Sequence, residues 1–219
     1  MVKYVQRGRP IDEHKQSQQK QKLLDAAQIL LAKKSFGSLT IRELADTAKV
    51  NSAMISYYFN NKEGLFIALI DEMSNKLFDN LQLVSRAENP IHSFITMMIK
   101  MLSSNKSFAR LIQDEVLSNE SDFKTIFIER FPKKMAKLLP QLIINNTNIT
   151  ETKKAQYAAF SLMMMIITPF THEAVRQDAW GISDQEIKSP LWINHLYGLF
   201  INGCNDSINN ANPLPSETS

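Results

Sequence analysis

The chain has 219 residues, of which 44% are hydrophobic and 21% charged, and its formal net charge is +3. This length accommodates one large domain or a small domain joined to a medium one, and the composition is ordinary for a water-soluble protein. The single cysteine, Cys204, excludes an internal disulfide framework and fits a reducing cytosol. Neither a signal peptide nor an apolar run long enough to span a bilayer is visible, so we expect a cytoplasmic protein.

Positive charge is concentrated at the N-terminal end. Residues 1–62 carry 11 lysines and arginines against 5 acidic residues, a net +6, whereas residues 63–219 carry a net −3. A basic N-terminal quarter on a slightly acidic body indicates a polyanionic partner at that end, although basic tails are common in other kinds of protein.

Residues 1–16 are predicted to form a flexible basic arm, in which Lys3, Arg7 and Arg9 surround an Arg-Gly-Arg-Pro element. Such an element is extended and fits the narrow minor groove of A·T-rich DNA. A disordered basic tail that raises only non-specific affinity explains the same residues. In both cases the cations would steepen the salt dependence of DNA binding.

Residues 17–62 are predicted to form a small helical domain. A first helix spans about 18–34, where apolar residues recur every three or four positions. Thr40 and Glu43 have the spacing of a capping box that starts a second, short helix, and Asn51 is a suitable N-cap for a third helix over 52–59. Two short helices joined by a tight turn and braced by a longer one are typical of a helix-turn-helix.

Several spaced motifs in this segment resemble the DNA-binding domain of the TetR family. They are Leu-Leu-Asp-Ala-Ala at 23–27, Phe-Gly at 36–37, Leu-Thr-Ile-Arg-Glu-Leu-Ala at 39–45, and Ser-Tyr-Tyr-Phe-Asn-Asn-Lys-Glu-Gly-Leu at 56–65. The resemblance covers about 50 residues without gaps. The rest of the chain is similar to the family only in length and helicity, as expected for its variable ligand domains.

The resemblance implies sequence-specific binding to double-stranded DNA by the two short helices. A helix N-terminus and neighbouring cations would contact phosphates, and the first turn of the second short helix would reach base edges. Ordinary packing for the tyrosine and solvated charges for the cations are the alternatives. The residues implied are Thr40, Arg42, Asn51, Ser52, Ala53, Met54, Tyr57 and Lys62.

Residues 63–208 are predicted to form a larger helical domain for effector binding and dimerisation, and the polar tail at 209–219 is predicted to be disordered. Within the larger domain, helices are expected over about 90–102 and 105–117, a third helix is expected to begin at 121–122, and two long helices over 151–176 and 190–208 close the domain. A kink is expected where Pro132 and Pro140 interrupt the helical pattern. The expected fold class is all-α, with about nine helices in total.

Methionine and phenylalanine are frequent in the middle helices of this domain. Such residues could line an adaptable apolar cavity for a small effector, or they could form an ordinary core. The candidates for the pocket are Phe94, Met98, Met101, Phe108, Phe127, Phe131, Met164 and His172.

In the TetR family the last two helices pair with their copies in a four-helix bundle. A homodimer would place two recognition helices so that they read a palindromic operator. Internal packing of the same faces is the alternative. The residues predicted for the interface are Ala155, Ala159, Leu162, Ile166, Ile193, Leu196, Tyr197 and Phe200.

The sequence therefore predicts a sequence-specific transcriptional regulator, a homodimeric repressor released by a small, apolar ligand. A helical scaffold that binds only protein is the alternative, but it would not need the capped helix-turn-helix or the uneven charge. No glycine-rich phosphate loop and no Cys/His metal-binding spacing is present in the sequence, so an enzyme, a cofactor and a metal site are not predicted.

Overall fold

The computed structural model describes residues 13–105, 109 and 122–206, and within these ranges the regular structure is entirely helical. The prediction of an all-α fold, with a helix-turn-helix domain followed by a larger helical domain, is confirmed. The α-helices of the described ranges are α1 (Glu13–Leu31), α2 (Ile41–Ala48), α3 (Ala53–Phe59), α4 (Lys62–Val84), α5 (Pro90–Ser104), α6 (Asp122–Arg130), α7 (Pro132–Asn146), α8 (Thr152–Thr171) and α9 (Pro190–Asp206).

The first helix differs from its predicted bounds. It begins at Glu13, so residues 13–16, predicted as part of the arm, are helical. It ends at Leu31, and a short 3-10 turn over Phe36–Ser38 leads to α2. Lys3, Arg7 and Arg9 lie outside the described residues, as do the predicted tail at 209–219 and nearly all of the predicted helix at 105–117.

The helices α1, α2 and α3 and the N-terminal part of α4 share one hydrophobic core. We call this unit the head. Its centre consists of side chains with no more than 2% of their surface exposed, from all four helices: Leu23 and Ala27 of α1, Leu44 of α2, Ile55 of α3, and Leu65 and Phe66 of α4. Phe36, from the turn before α2, meets the Phe66 ring edge-on with centroids 4.7 Å apart. Because α4 contributes to this core and then continues through Val84, it joins the head to the rest of the molecule.

The helices α5 to α9 form the larger body. The central helix, α5, contacts α4, α7, α8 and α9, and α7 packs along α8. Pro132 occupies the first turn of α7 rather than the interior of a kinked helix, because a residue without an N–H is tolerated where a helix begins. Pro140 lies inside α7, and α8 contains an interior proline, Pro169, that the sequence analysis did not single out.

The long helix predicted over 151–176 is shorter than expected. It ends at Thr171, and a single π-helical turn over Val175–Ala179 follows. Arg176 of this turn is buried; it donates to the Pro169 carbonyl at 2.9 Å and to the Asp184 carboxylate at 2.5 Å. These bonds hold the connection between α8 and α9 against the end of α8. None of the helices described is long and apolar enough to cross a membrane.

Candidate DNA-binding site and ligand cavity

The predicted capping box at the start of α2 is confirmed. The Glu43 amide donates to Thr40 Oγ1 at 3.2 Å, and the Thr40 amide donates to Glu43 Oε2 at 3.1 Å. The reciprocal bonds satisfy two amides that a helix N-terminus leaves without partners. Thr40 remains exposed at the surface, where the positive end of α2 can face a phosphate.

Glu43 is also held electrostatically. The Lys34 ammonium lies 2.5 Å from its carboxylate. Together with the Thr40 amide, this contact lowers the pKa of Glu43 to about 2. The ionised carboxylate is therefore stabilised in the folded head relative to the unfolded chain.

The capping box should make the head sensitive to acid. Because the folded-state pKa of Glu43 is depressed, its stabilising contribution is complete above a pH of about 4.5 and is lost as the pH falls towards about 2. We expect Glu43→Gln to lower the melting temperature near neutral pH, and the deficit relative to wild type to shrink as the pH falls below about 4.5. Thermal melts over that pH range measure it. Glu88→Gln, at an exposed site on the α4–α5 turn, is the control; an equal deficit at every pH would contradict the prediction.

The first turn of α3 presents the predicted base-contacting residues. The helix begins at Ala53 with Ser52 in the cap position, but the capping bond comes from Asn51, whose Oδ1 accepts from the Ala53 amide at 2.8 Å. Asn51, Ser52 and Ala53 are exposed, whereas Met54 is half-buried against the core. Three of the four residues are thus free at the surface, while most of the Met54 surface is needed for packing.

The two tyrosines of α3 divide between surface and packing. Tyr57 is 63% exposed, and its hydroxyl accepts from Gln16 Nε2 at 3.3 Å. Tyr58 is half-buried, and its hydroxyl donates to Gln19 Oε1 at 2.8 Å. Both bonds tie α3 to α1, and they leave the Tyr57 ring on the outer surface of the head.

The two cations predicted to contact phosphates differ in their surroundings. The Arg42 side chain is 92% exposed and lies only loosely beside Asp46, at 3.9 Å. Lys62 is half-buried and donates to the carbonyls of Leu39 at 3.0 Å and Phe36 at 3.3 Å. Its ammonium group also lies 4.5 Å from the centre of the Phe36 ring. The structure therefore shows Lys62 holding the turn before α2, a role that the sequence analysis did not predict.

The turn between α3 and α4 depends on Gly64. Asn61 Oδ1 accepts from the Gly64 amide at 2.7 Å, and Asn60 adopts a positive φ of 71°. A Cβ atom on Gly64 would lie 1.9 Å from the carbonyl oxygen of Phe59. Only glycine permits this close approach, so Gly64 fixes the position of α3, the predicted recognition helix, on α4.

An apolar cavity of about 290 Å³ lies between α6, α7 and α8. Gln156 is the only polar side chain among its described lining residues. Two of the residues at its edge, Phe160 and Met164, are exposed. The other lining residues are Phe127, Phe131, Pro132, Met135, Ala136, Leu139, Pro140, Ala159, Met163 and Ile167.

The predicted pocket residues do not all meet at this cavity. Phe127, Phe131 and Met164 line it, whereas Phe94 and Met98 are fully buried core residues. Met101 lines a separate cavity between α4 and α5, and His172 is exposed at the end of α8. Phe108 lies outside the described residues. Most of the lining residues on α7 were not predicted from the sequence. The two prolines of this helix and the apolar pair Met135 and Leu139 were the signals that could have indicated them.

The residues predicted for the dimer interface lie mostly inside the protomer. Seven of the eight are buried within the protomer, and Tyr197 is half-buried. The most continuous apolar stripe of α8 and α9 faces the protomer's own core, because these helices must bury it even in a monomer. The outer faces carry exposed apolar side chains instead, including Tyr157, Phe160, Leu191 and Leu199.

Comparison with known proteins agrees with this architecture. Residues 23–69 match the family model of the bacterial regulatory proteins of the tetR family. The chain is 24% identical over 192 residues to the uncharacterized HTH-type transcriptional regulator YvkB of Bacillus subtilis (strain 168), an alignment covering 83% of this chain and 95% of that protein.

Two solved structures share the fold across both domains. The fatty acid degradation regulator FadR from Bacillus halodurans superposes with a TM-score of 0.70 at 19% identity, covering 90% of this chain and 98% of that one. The transcriptional regulator FadR from Bacillus subtilis, solved in complex with stearoyl-CoA, superposes with a TM-score of 0.69 at 19% identity, covering 84% and 98%. Residues 23–69 are therefore a helix-turn-helix DNA-binding domain of the tetR family type, and the whole chain shares its fold with solved transcriptional regulators.

Proposed function

We propose that this regulator is a homodimeric repressor whose affinity for a palindromic operator falls when an acyl-CoA places its acyl chain in the cavity between α6, α7 and α8. The observation that carries the ligand assignment is the lining of that cavity, in which thirteen described residues include one polar side chain. An apolar cavity of this kind favours a hydrocarbon chain over a charged or strongly hydrogen-bonding ligand. As a DNA-binding repressor, the protein would act in the cytoplasm.

The solved relative from Bacillus subtilis supports the same class of ligand, since it was crystallised with stearoyl-CoA. The exposed lining residues Phe160 and Met164 provide a place where the chain could enter while a polar headgroup stays in water. The volume of about 290 Å³ in this conformation is small, so a long chain requires the side chains at the wall to move. Methionines, of which Met135, Met163 and Met164 line the cavity, adapt readily in this way.

A second copy of the chain is the proposed occupant of the outer face of α8 and α9. Tyr157 and Leu199 lie on the two sides of a groove between these helices, with the small residues Ser161 and Gly203 also in its lining. Exposed apolar side chains beside small residues allow close helix approach. A two-fold interface here would bring two α3 helices to one side of the dimer, as a palindromic operator requires.

The test is binding of the purified protein to DNA from upstream of its own gene, with a shuffled fragment of equal composition as the competitor. Tight binding that prefers the native fragment, and that weakens with stearoyl-CoA but not with free coenzyme A, is the expected result. Equal binding to both fragments at every salt concentration contradicts an operator in that region. Preference for the native fragment that neither stearoyl-CoA nor shorter acyl-CoAs alter contradicts the proposed ligand.

The exposed cation of α2 provides a quantitative prediction for the same assay. We expect Arg42→Ala to reduce the slope of log affinity against log salt concentration by about 1, because one phosphate contact is lost. Arg86→Ala, at an exposed site on the α4–α5 turn, is the matched control and should leave the slope unchanged. Equal slopes for Arg42→Ala and wild type would remove Arg42 from the proposed interface.

A further inference from the structure

A second cavity, of about 790 Å³, lies between α4 and α5 and reaches the head at Gln28 of α1. We call it the α4–α5 groove. It shares no lining residue with the cavity between α6, α7 and α8. A space of this size is typical of a site for a small molecule.

The groove exists because one face of α5 is not needed for the core. Phe94, Ile95, Met98 and Ile99 of this helix are almost completely buried. The residues on the groove face recur every three or four positions, as expected for one side of a helix, and all of them are half-buried or exposed. They are Ser93, Thr96, Met97, Lys100, Met101 and Ser104.

The apolar part of the lining is adaptable. Met73 of α4 and Met97 and Met101 of α5 are half-buried, and methionine side chains adjust readily to the shape of what they contact. Leu83, near the α4–α5 turn, lines the same groove and is 68% exposed. An apolar chain lying here would remove these side chains from water, which is favourable.

The polar part of the lining carries one positive charge that no acidic group offsets. The Lys76 ammonium lies 2.5 Å from the Glu72 carboxylate, so these two charges compensate each other. Lys100 is exposed, and within the part of the chain that the structure describes it has neither an ion pair nor a hydrogen bond. An excess of one positive charge suits a monoanion, because a second anionic charge would be repelled by Glu72.

The charge and the apolar side chains are placed so that one molecule can contact both. After the short turn at 85–89, α5 runs back along α4, so Lys100 lies beside the middle of α4 rather than at an end of the groove. Met97 and Met101 are within one helical turn of Lys100 on the same face. An anionic group bound at Lys100 would leave its apolar chain to lie over the methionines.

We propose that the α4–α5 groove is a second small-molecule site, which binds an unesterified carboxylic acid with an apolar chain. Lys100 pairs with the carboxylate, and the methionines of α4 and α5 hold the chain. A coenzyme A ester has no free carboxylate and carries several phosphate charges, so the groove selects the acid over its ester. The site is independent of the ligand proposed for the cavity between α6, α7 and α8.

The test is calorimetric titration of the full-length protein with decanoate, and with 1-decanol as the uncharged analogue. Lys100→Gln removes the charge, and Lys100→Arg retains it. Lys137→Gln is the matched control, because Lys137 is an exposed lysine of α7, a helix that walls the other cavity, and it does not line the groove. The substituted lysines are exposed, so melting temperatures close to that of wild type are expected for all three variants.

We expect one decanoate to bind per chain, and to bind more tightly than 1-decanol. Lys100→Gln should weaken decanoate binding by about fivefold, as for an ion pair near the surface, whereas Lys100→Arg and Lys137→Gln should bind as wild type does. The preference for decanoate is informative, because a purely apolar site would bind the uncharged alcohol more tightly.

Three results would overturn the proposal: no saturable binding of decanoate, tighter binding of 1-decanol, or equal decanoate affinity in wild type and Lys100→Gln. A loss in Lys137→Gln as large as that in Lys100→Gln would also contradict it, since the ligand would then lie near α7. If decanoate binds as expected while no acyl-CoA alters operator affinity, the assignment of the groove stands and the ligand proposed for the other cavity is wrong.

Discussion

Changing Gly64 to alanine is expected to lower the free energy of unfolding by about 2 kcal/mol, and to reduce operator affinity at least about tenfold. The added Cβ would meet the Phe59 carbonyl oxygen at 1.9 Å, a contact that a backbone atom cannot relieve by rotation. Either α3 or the start of α4 must shift. Because Phe59 and Gly64 flank the turn that carries the recognition helix, the same shift disturbs the surface that faces DNA.

A loss of stability in Gly64→Ala would identify the steric contact as the cause, since helix propensity alone favours alanine over glycine by about 1 kcal/mol. Chemical denaturation gives the stability, and a titration with operator DNA gives the affinity. Gly37→Ala is the control, because a Cβ at Gly37 would have no heavy atom within 4 Å. A stable Gly64→Ala protein with wild-type affinity would show that the α3–α4 turn accommodates the methyl group and does not fix the recognition helix.

Changing Leu199 to glutamate is expected to convert the protein to a monomer and to weaken operator binding by about 100-fold or more. Leu199 is 55% exposed in the protomer and borders the groove between α8 and α9. In a two-fold dimer both copies would bury the new carboxylate in an apolar contact. Loss of the dimer removes the gain from binding two half-sites at once, which amounts to roughly 10² to 10⁴ in affinity.

Sedimentation or light scattering measures the oligomeric state, and the operator titration measures the affinity. Leu83→Glu is the matched control, because Leu83 is a leucine of α4 that is 68% exposed. The control should remain dimeric and bind DNA as wild type does. If Leu199→Glu stays dimeric, the outer face of α8 and α9 is not the interface, and another exposed apolar surface must be sought.

Local signals in the sequence predicted most of the short helices of the head. The capping box formed by Thr40 and Glu43 depends on residues three positions apart, and the buried faces of the short helices depend on helical spacing, so both can be predicted from one sequence. The contacts of Lys62 were not predicted, because its partners, the Phe36 and Leu39 carbonyls, lie more than 20 residues away in the chain. Nothing in the local pattern shows that these carbonyls converge on one ammonium group.

The body was harder to predict because apolar periodicity shows that a helix face is buried but not which neighbour covers it. Leu162 and Ile166 obey the period of an interface helix, yet both are fully buried in the protomer. The candidate cavity shows the same limit: Phe94 and Phe127 are equally apolar, but Phe127 lines this cavity whereas Phe94 belongs to the core. Packing between distant segments decides both cases, and a single sequence does not encode it in any short pattern.

The sharing of α4 between the head and the body limits how the molecule can be divided. A fragment ending at residue 62 would expose the surface that Leu65 and Phe66 cover, and would lack the glycine turn that positions α3. Chimaeras that join this head to the body of another protein of the same fold should therefore be joined beyond this core-forming part of α4. A junction placed between Ile70 and Asp71 would keep the head core native, because the buried residues Leu65, Phe66, Leu69 and Ile70 all lie before it.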